Sequence, residues 1–390
     1  MVVTSSSALV VGGGIGGLAT AVGLRRNGWQ VTLLERAPSF RPLGSGITLA
    51  PNAVRALDAL GLGAELRARG MAQGAAGLRV PSGRWLMRAK VEELEHRMGV
   101  PAFALHRADL HDLLIGALEG VDVRLGHTVT GLPETNTLAF DGPEGPGRLT
   151  ADLVVGADGI RSKLRRLLFP AHPGPVYAGY VTWRGIVPAD RTPAQMSQSV
   201  TESWGRGRRF GVIPLADGRV YWYATQSCPE GTGAGYTLAQ LASRYASWHR
   251  PIPELLAATP HDALIRNDVH FLVNPLDSYV SGRVALLGDA AHALTPDLGQ
   301  GAAQALEDAV TLAAFLRPSG DVEEGLTRYD RARRPRAQQV VRASAQVGRI
   351  IQLRNPVAAA VRDTLASLLP ASTYLNATVR TLDWRPPCPA

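Results

Sequence analysis

The segment that most limits the fold runs from Ala8 to Glu35, ALVVGGGIGGLATAVGLRRNGWQVTLLE. An apolar run of strand length ends in glycines, a helical pattern follows, and a second apolar run over 30–34 ends in an acid. Gly12, Gly14 and Gly17 satisfy GxGxxG, with Ile15 and Gly16 inside the turn. Glycines at these places allow a tight turn. They also let a pyrophosphate approach the helix N-terminus, where free N–H groups and the dipole favour negative charge. Glu35 stands eighteen residues after Gly17, where a carboxylate reaches adenosine ribose hydroxyls, and Arg36 is placed to cover the adenine. The glycines alone are a weak signal. Strand, helix and terminal acid together predict a dinucleotide-binding α/β fold, and the acid favours FAD or NAD over NADP at this place.

Two later segments repeat the device. In GRVALLGDAAHALTPDLGQGAAQALE, residues 282–307, the apolar run 284–287 reads as a buried strand delivering Gly288-Asp289. A turn with Pro296, Gly299, Gln300 and Gly301 then opens a helix that includes Ala302. Asp289 suits a polyhydroxy chain, and the helix start suits an electron-poor ring that gains negative charge. In DLVVGADGIRS, residues 152–162, an apolar strand ends in Asp158-Gly159 before a basic helix start.

The remainder of the chain limits partners and compartment. Lys90 and Lys163 are the only lysines, so scattered arginines carry the net charge of +8. The densest cluster (Arg328, Arg331, Arg333, Arg334, Arg336) shares its helical stretch with Asp330, which reads as a solvated or interdomain face. No basic ribbon interleaved with aromatics accompanies it, so a nucleic-acid partner is not expected. No segment reads as a signal peptide or membrane span. Cys228 and Cys388 show no metal or redox spacing. The expected location is the cytoplasm, as a monomer or homodimer.

Helices are expected over 52–69 and 107–118, with strands over 121–124, 138–140 and 150–155 continuing one sheet. From 176 to 272 the texture becomes alternating and aromatic (180–187, 209–214, 220–225), predicting an antiparallel sheet with one covered face. The fold class is therefore α/β: a Rossmann-like domain for FAD or NAD (1–75, 100–175 and 273–320), with an antiparallel sheet (76–99 and 176–272) inserted. C-terminal helices and a proline-rich tail follow over 321–390.

In this order and spacing the three motifs resemble the single-component FAD-dependent aromatic hydroxylases of the para-hydroxybenzoate hydroxylase family, over about residues 8–340. The resemblance implies that the Rossmann-like domain is the FAD-binding domain, that the inserted sheet is the substrate-binding one, and that the glycine loop holds the ADP part of FAD. It implies that the segment at Asp158 serves FAD and NAD(P)H, and that the segment at Asp289 holds the ribityl chain and isoalloxazine. It adds Arg107 as an FAD contact, the loop with Gly46 and Thr48 beside the flavin, and Val129 at the adenine. Within the family, VTWRG at 181–185 and RGRRF at 206–210 are similar to the branch of salicylate hydroxylases, zeaxanthin epoxidases and FAD-dependent urate hydroxylase. NADPH or NADH would be a transient co-substrate, O2 the oxidant, and a flavin C4a-hydroperoxide the donor of oxygen to an electron-rich aromatic or heteroaromatic small molecule.

On strands, Thr182 and Arg184 share a face, as do Tyr221 and Tyr223. These four and Arg209 are the substrate-face candidates. Arg209 and Tyr221 match substrate contacts of the urate hydroxylase branch, and Pro296 is expected beside the transferring oxygen. An arginine there can anchor an anionic substrate, although Arg209 among other arginines also suits the surface. Rival readings are a halogenase or reductase of related fold, and a catalytically silent flavin binder. The segment TWRGIVP at 182–188 does not match the halogenase WxWxIP.

Overall fold

In the computed structural model, residues 6–387 are described apart from 41–43, 74, 135, 195, 197 and 198. Cys388 and Pro389 lie outside the described residues. A six-stranded sheet holds, in spatial order, Val280–Ser281, Val284–Leu286, Leu153–Gly156, Ser7–Val11, Gln30–Glu35 and Asp122–Leu125. All neighbours are parallel except the first pair. The central strands are near-continuous buried apolar runs, as a sheet covered on both faces requires. Val11 is in register with Gly156 and Gly156 with Leu286, so the three glycine-bearing turns leave the sheet side by side. Ligands of open α/β sheets gather at these carboxyl ends.

The helix Ile15–Arg26 packs on Gly301–Phe315 through small residues, Gly16 against Ala305 and Gly23 against Ala313. A seven-stranded sheet lies over the turns, in the order Ile265–Phe271, Val176–Val187, Val220–Ser227, Arg208–Pro214, Val200–Trp204, Ala75–Arg79 and Trp85–Lys90. It is antiparallel except where Val200–Trp204 runs parallel to Ala75–Arg79. The chain is thus an α/β Rossmann-like unit with an inserted, mainly antiparallel sheet and helices at its C-terminal end.

Several expected elements differ. The helix expected over 52–69 is two, Pro51–Ala59 and Gly63–Arg69, because Gly61 turns the chain at φ +66°. Residues 138–140 belong to a separate three-stranded sheet of Thr128–Glu134, Thr137–Gly142 and Gly145–Thr150, not to the main one. Helices Leu238–Tyr245 and Ile252–Ala258 interrupt the all-β texture and cover the face carrying Trp183, Phe210 and Trp222. A further helix, Ala371–Leu382, precedes the proline-rich end.

The arginine cluster is not simply a solvated face. Arg333 of Val322–Ile351 is fully buried and paired with Glu307 and Asp308 of Gly301–Phe315. Arg336 also reaches Glu307 at 2.6 Å. Helical spacing shows which residues share a face, but not that two faces of opposite charge close on each other. Among the described residues, no helix is long and apolar enough to cross a membrane.

Candidate active site

A cavity of about 1810 Å³ lies between the carboxyl ends of the parallel strands and the inner face of the seven-stranded sheet. Its floor holds Gly14, Ile15 and Gly16 from the first motif, Gly159 from the second, and Asp289, Gly299, Gly301 and Ala302 from the third. Gly46, Thr48 and Arg107 form one side, and the strand pairing of Gly46 with His106 sets Arg107 beside that loop. Pro296 is exposed on the cavity. Thr182, Arg184, Arg209, Tyr221 and Tyr223 all face it from the sheet.

Seven other candidates do not line the cavity. Gly12 (φ +110°) and Gly17 shape the turn: a Cβ on Gly12 would overlap the Ala157 carbonyl, and one on Gly17 the Gly12 carbonyl. Glu35 accepts hydrogen bonds from the backbone N–H groups of Gly13 (2.6 Å) and Ala37 (2.8 Å), while Arg36 is exposed. Asp158 accepts from Lys163 N and Leu164 N and so caps the helix Lys163–Leu168, while its Oδ1 is buried without a partner. Val129 is paired with Phe140 in the separate three-stranded sheet. The Gln300 side chain is turned inward to accept from Asn52 at 2.8 Å, leaving its backbone as the available part.

The floor has the character of an anion and polyol cradle. Both helix starts, at Gly14 and Gln300, lack a side-chain cap, so first-turn N–H groups have no partner from a capping residue. A Cβ on Gly14, Gly299 or Gly301 would meet nothing within 4 Å, so there is room for a ligand against the backbone. Asp289 lies deep in the molecule, yet its side chain opens on the cavity and is solvent-exposed there. That enclosure pushes its pKa up, against the opposing pull of His292, Arg107 and Arg165. The turn before Asp289 is held from behind. Asp308 Oδ2 accepts from Gly288 N at 2.8 Å and pairs with His292 at 2.5 Å. Burial alone would raise the Asp308 pKa, but His292 and Arg333 outweigh it and bring the group to about 2.

The ceiling is built from side chains. Arg209 is 2% exposed, so the surface alternative does not hold. Its guanidinium sits 3.2 Å from Asp297 and 3.5 Å from Glu202. Burial would lower its pKa, but Glu202, Tyr223 and Asp297 together raise it. The Tyr223 hydroxyl donates to Glu202, and the Tyr180 hydroxyl donates to Asp297 at 2.7 Å. Gly348 leaves room for the Asp297 carboxylate against the long helix Val322–Ile351, and Thr295 bonds Ser344 of the same helix. Three donors lack a hydrogen-bond partner on this face. Arg184 bonds Asn267 through one terminal nitrogen, but its Nε has no partner; Arg209 Nε has none either, and the Tyr221 hydroxyl bonds nothing among the described residues.

Glu202, Tyr180 and Asn267 escaped the sequence reading. An acid within the alternating stretch 200–204 was the one usable signal for Glu202, because acids are depleted in strands. Arg165 was also missed. It donates to Ala290 O at 2.9 Å and to Ile160 O, tying the Asp158 segment to the Asp289 segment.

Comparison with known proteins gives the family. A family described as "FAD binding domain" matches residues 5–344. The chain belongs to this FAD-binding family. It is 38% identical to aurachin C monooxygenase/isomerase of Stigmatella aurantiaca, over 98% of this chain and 99% of that protein. It is 35% identical to 2-heptyl-3-hydroxy-4(1H)-quinolone synthase of Pseudomonas aeruginosa, over 93% and 94%. The crystal structure of Klebsiella pneumoniae HpxO complexed with FAD and uric acid superposes with a TM-score of 0.88 at 28% identity, covering 97% of this chain and 96% of that one. The chain is an FAD-dependent monooxygenase, and the uncapped helix starts and open glycines described above fit that cofactor.

Proposed function

We propose that this monooxygenase adds oxygen to an electron-rich heteroaromatic ring with a ring carbonyl and N–H, of the 4-quinolone type. The observation that carries the reading is the pairing pattern of the ceiling. Arg209 is already neutralised by Glu202 and Asp297, so it does not itself call for a substrate carboxylate. Arg209 Nε and Arg184 Nε are buried without a hydrogen-bond partner, and the Tyr221 hydroxyl bonds no described residue. A buried polar group without a partner costs about 1–3 kcal/mol, so a ring carbonyl placed between Arg184 and Tyr221 is favoured. Burial pushes the Tyr221 pKa up to about 12, so the phenol stays a protonated donor at neutral pH. Two relatives' names support the ring class, one a quinolone synthase and one a urate hydroxylase.

When bound, FAD reduced by NAD(P)H activates O2 and supplies one oxygen atom. The protein binds, orients and excludes water. We assign the pyrophosphate to the helix start at residues 14–16, the ribityl chain to Asp289, and the pyrimidine edge of the ring to the helix start at 299–301. Arg107, with its pKa depressed by burial and by Arg184, adds positive charge beside Asp289. Pro296 positions the reacting edge of the substrate, and the Tyr180–Asp297–Arg209 chain fixes that loop to the sheet. Glu35 and Asp158 act behind the cofactor by holding the turns in shape.

The test is a panel of 2-alkyl-4(1H)-quinolones, urate and 3-amino-4-hydroxybenzoate, assayed under ¹⁸O2. The expected result is quinolone-stimulated NAD(P)H oxidation and a product heavier by one oxygen taken from O2. Faster turnover of the carboxylated benzoate than of any quinolone would overturn the reading. A yellow protein whose NAD(P)H oxidation responds to nothing in the panel would favour a silent flavin binder.

A further inference from the structure

The cavity is longer than a cofactor and one ring system require. Beyond Glu202 and Tyr223 it continues past the edge of the seven-stranded sheet to the end of Val322–Ile351 and the helix Pro356–Leu368. Leu78, Met87 and Trp204 form one wall there. Ile350, Val361, Leu365 and Leu369 form the other, each more than half exposed. Val361, Leu365 and Leu369 recur every fourth residue, which places them in one stripe along the helix. So many exposed aliphatic side chains in one patch mark a binding surface.

The one charged residue at the head of this wall is spent on structure. Arg362 donates to Ile351 O at 2.7 Å and Gly205 O at 3.2 Å, and pairs with Asp363 at 2.8 Å. These bonds hold the helix at the mouth of the channel and leave the channel itself apolar. The stripe is continuous with the ring site, and Leu78 and Met87 face it across the same cavity. A flat partner, whether a second copy or a membrane, would also meet Val357 and Leu368, which extend the stripe and are exposed but do not line the cavity.

We infer that the substrate carries a hydrocarbon chain on its ring and that this channel takes the chain. The inference rests on the heteroaromatic reading above. From Val361 to Leu369 the helix rises about 12 Å, which matches an extended chain of about nine or ten carbons. No new chemistry is involved. The chain contributes binding and sets which ring edge faces the flavin.

The test uses the FAD-loaded enzyme with 2-alkyl-4(1H)-quinolones from methyl to undecyl, reading Kd from the flavin absorbance change and KM from turnover. Both are expected to fall about three- to fourfold per added methylene, the ratio for ~0.8 kcal/mol per buried CH2, and to level off near ten carbons. Leu365→Asp should flatten this dependence while its flavin spectrum reports an intact cofactor site. Leu368→Asp, off the cavity wall, should keep the dependence. Constants independent of chain length, or an unchanged slope in Leu365→Asp, would overturn the inference. So would loss of the slope in Leu368→Asp together with a concentration-dependent mass or vesicle binding of the wild type.

If no quinolone is bound or oxygenated, the ring reading fails and the channel is tested alone. Displacement of a dansyl-labelled undecanoic acid by n-decanol in wild type, lost in Leu365→Asp, would support it. Absence of displacement would sink it.

Discussion

The floor and ceiling of the cavity are built from different materials. The floor is backbone: glycine turns and two helix N-termini, each encoded within a short segment. The ceiling is side chains, Arg209, Glu202, Asp297, Tyr180 and Tyr223, drawn from four strands and one loop and paired with one another. A backbone cradle tolerates side-chain change around it but no added Cβ at Gly12 or Gly17, where backbone carbonyls stand in the way. A buried charge cluster tolerates no loss of a partner, because the remaining charges stay desolvated. The floor therefore suits a fixed cofactor, and the ceiling suits a recognition surface.

The largest effect should come from Gly17→Ala. The new Cβ would run into the Gly12 carbonyl, which the adjoining strand and helix prevent from moving. The purified variant is expected to be colourless, with the visible flavin absorbance lost. A yellow Gly17→Ala protein would break the view of the floor as a rigid cradle.

Next is Arg333→Met, which leaves Glu307 and Asp308 with one guanidinium fewer in a fully buried network. Removing one partner of such a network costs about 3–5 kcal/mol, read as a lower denaturant midpoint. The network stands behind the floor, so flavin affinity should drop with stability.

Arg209→Met sharpens the contrast, because it strikes the ceiling alone. It should retain FAD and lose about 30-fold in kcat/KM, matching ~2 kcal/mol for the charged contacts left unmade. Loss of flavin instead would show that the two layers are not separable.

Acid should probe the floor at similar size. Asp308 is depressed from an ordinary 3.8 to about 2, so its contribution is complete above about pH 4 and is lost as pH falls toward 2. That shift corresponds to roughly 2 kcal/mol. Asp308→Asn should remove this component from the acid-unfolding profile.

The smallest effect is expected for Tyr221→Phe. The hydroxyl has no protein partner to strand, so only its bond to substrate is lost. KM should rise roughly fivefold, about 1 kcal/mol, with flavin content unchanged.

The chain by itself determined the floor. Gly12 to Glu35, Asp158-Gly159 and Gly288-Asp289 could be read as three strand-turn units, because each turn is made by neighbours in sequence. The sequence did not say that Asp158 and Glu35 spend their carboxylates on helix and loop backbone. Tertiary structure alone decided the ceiling and the channel. Arg209, placed on the substrate face from sequence, became one third of an ion cluster only when Val200–Trp204 and the 295–299 loop closed on it. The stripe of Val361, Leu365 and Leu369 reads as ordinary helix periodicity until the sheet edge faces it. The physical reason is range. Turns and helix starts are fixed by local torsion and hydrogen bonding, whereas pairing of buried charges and the shape of a channel depend on which distant surfaces meet.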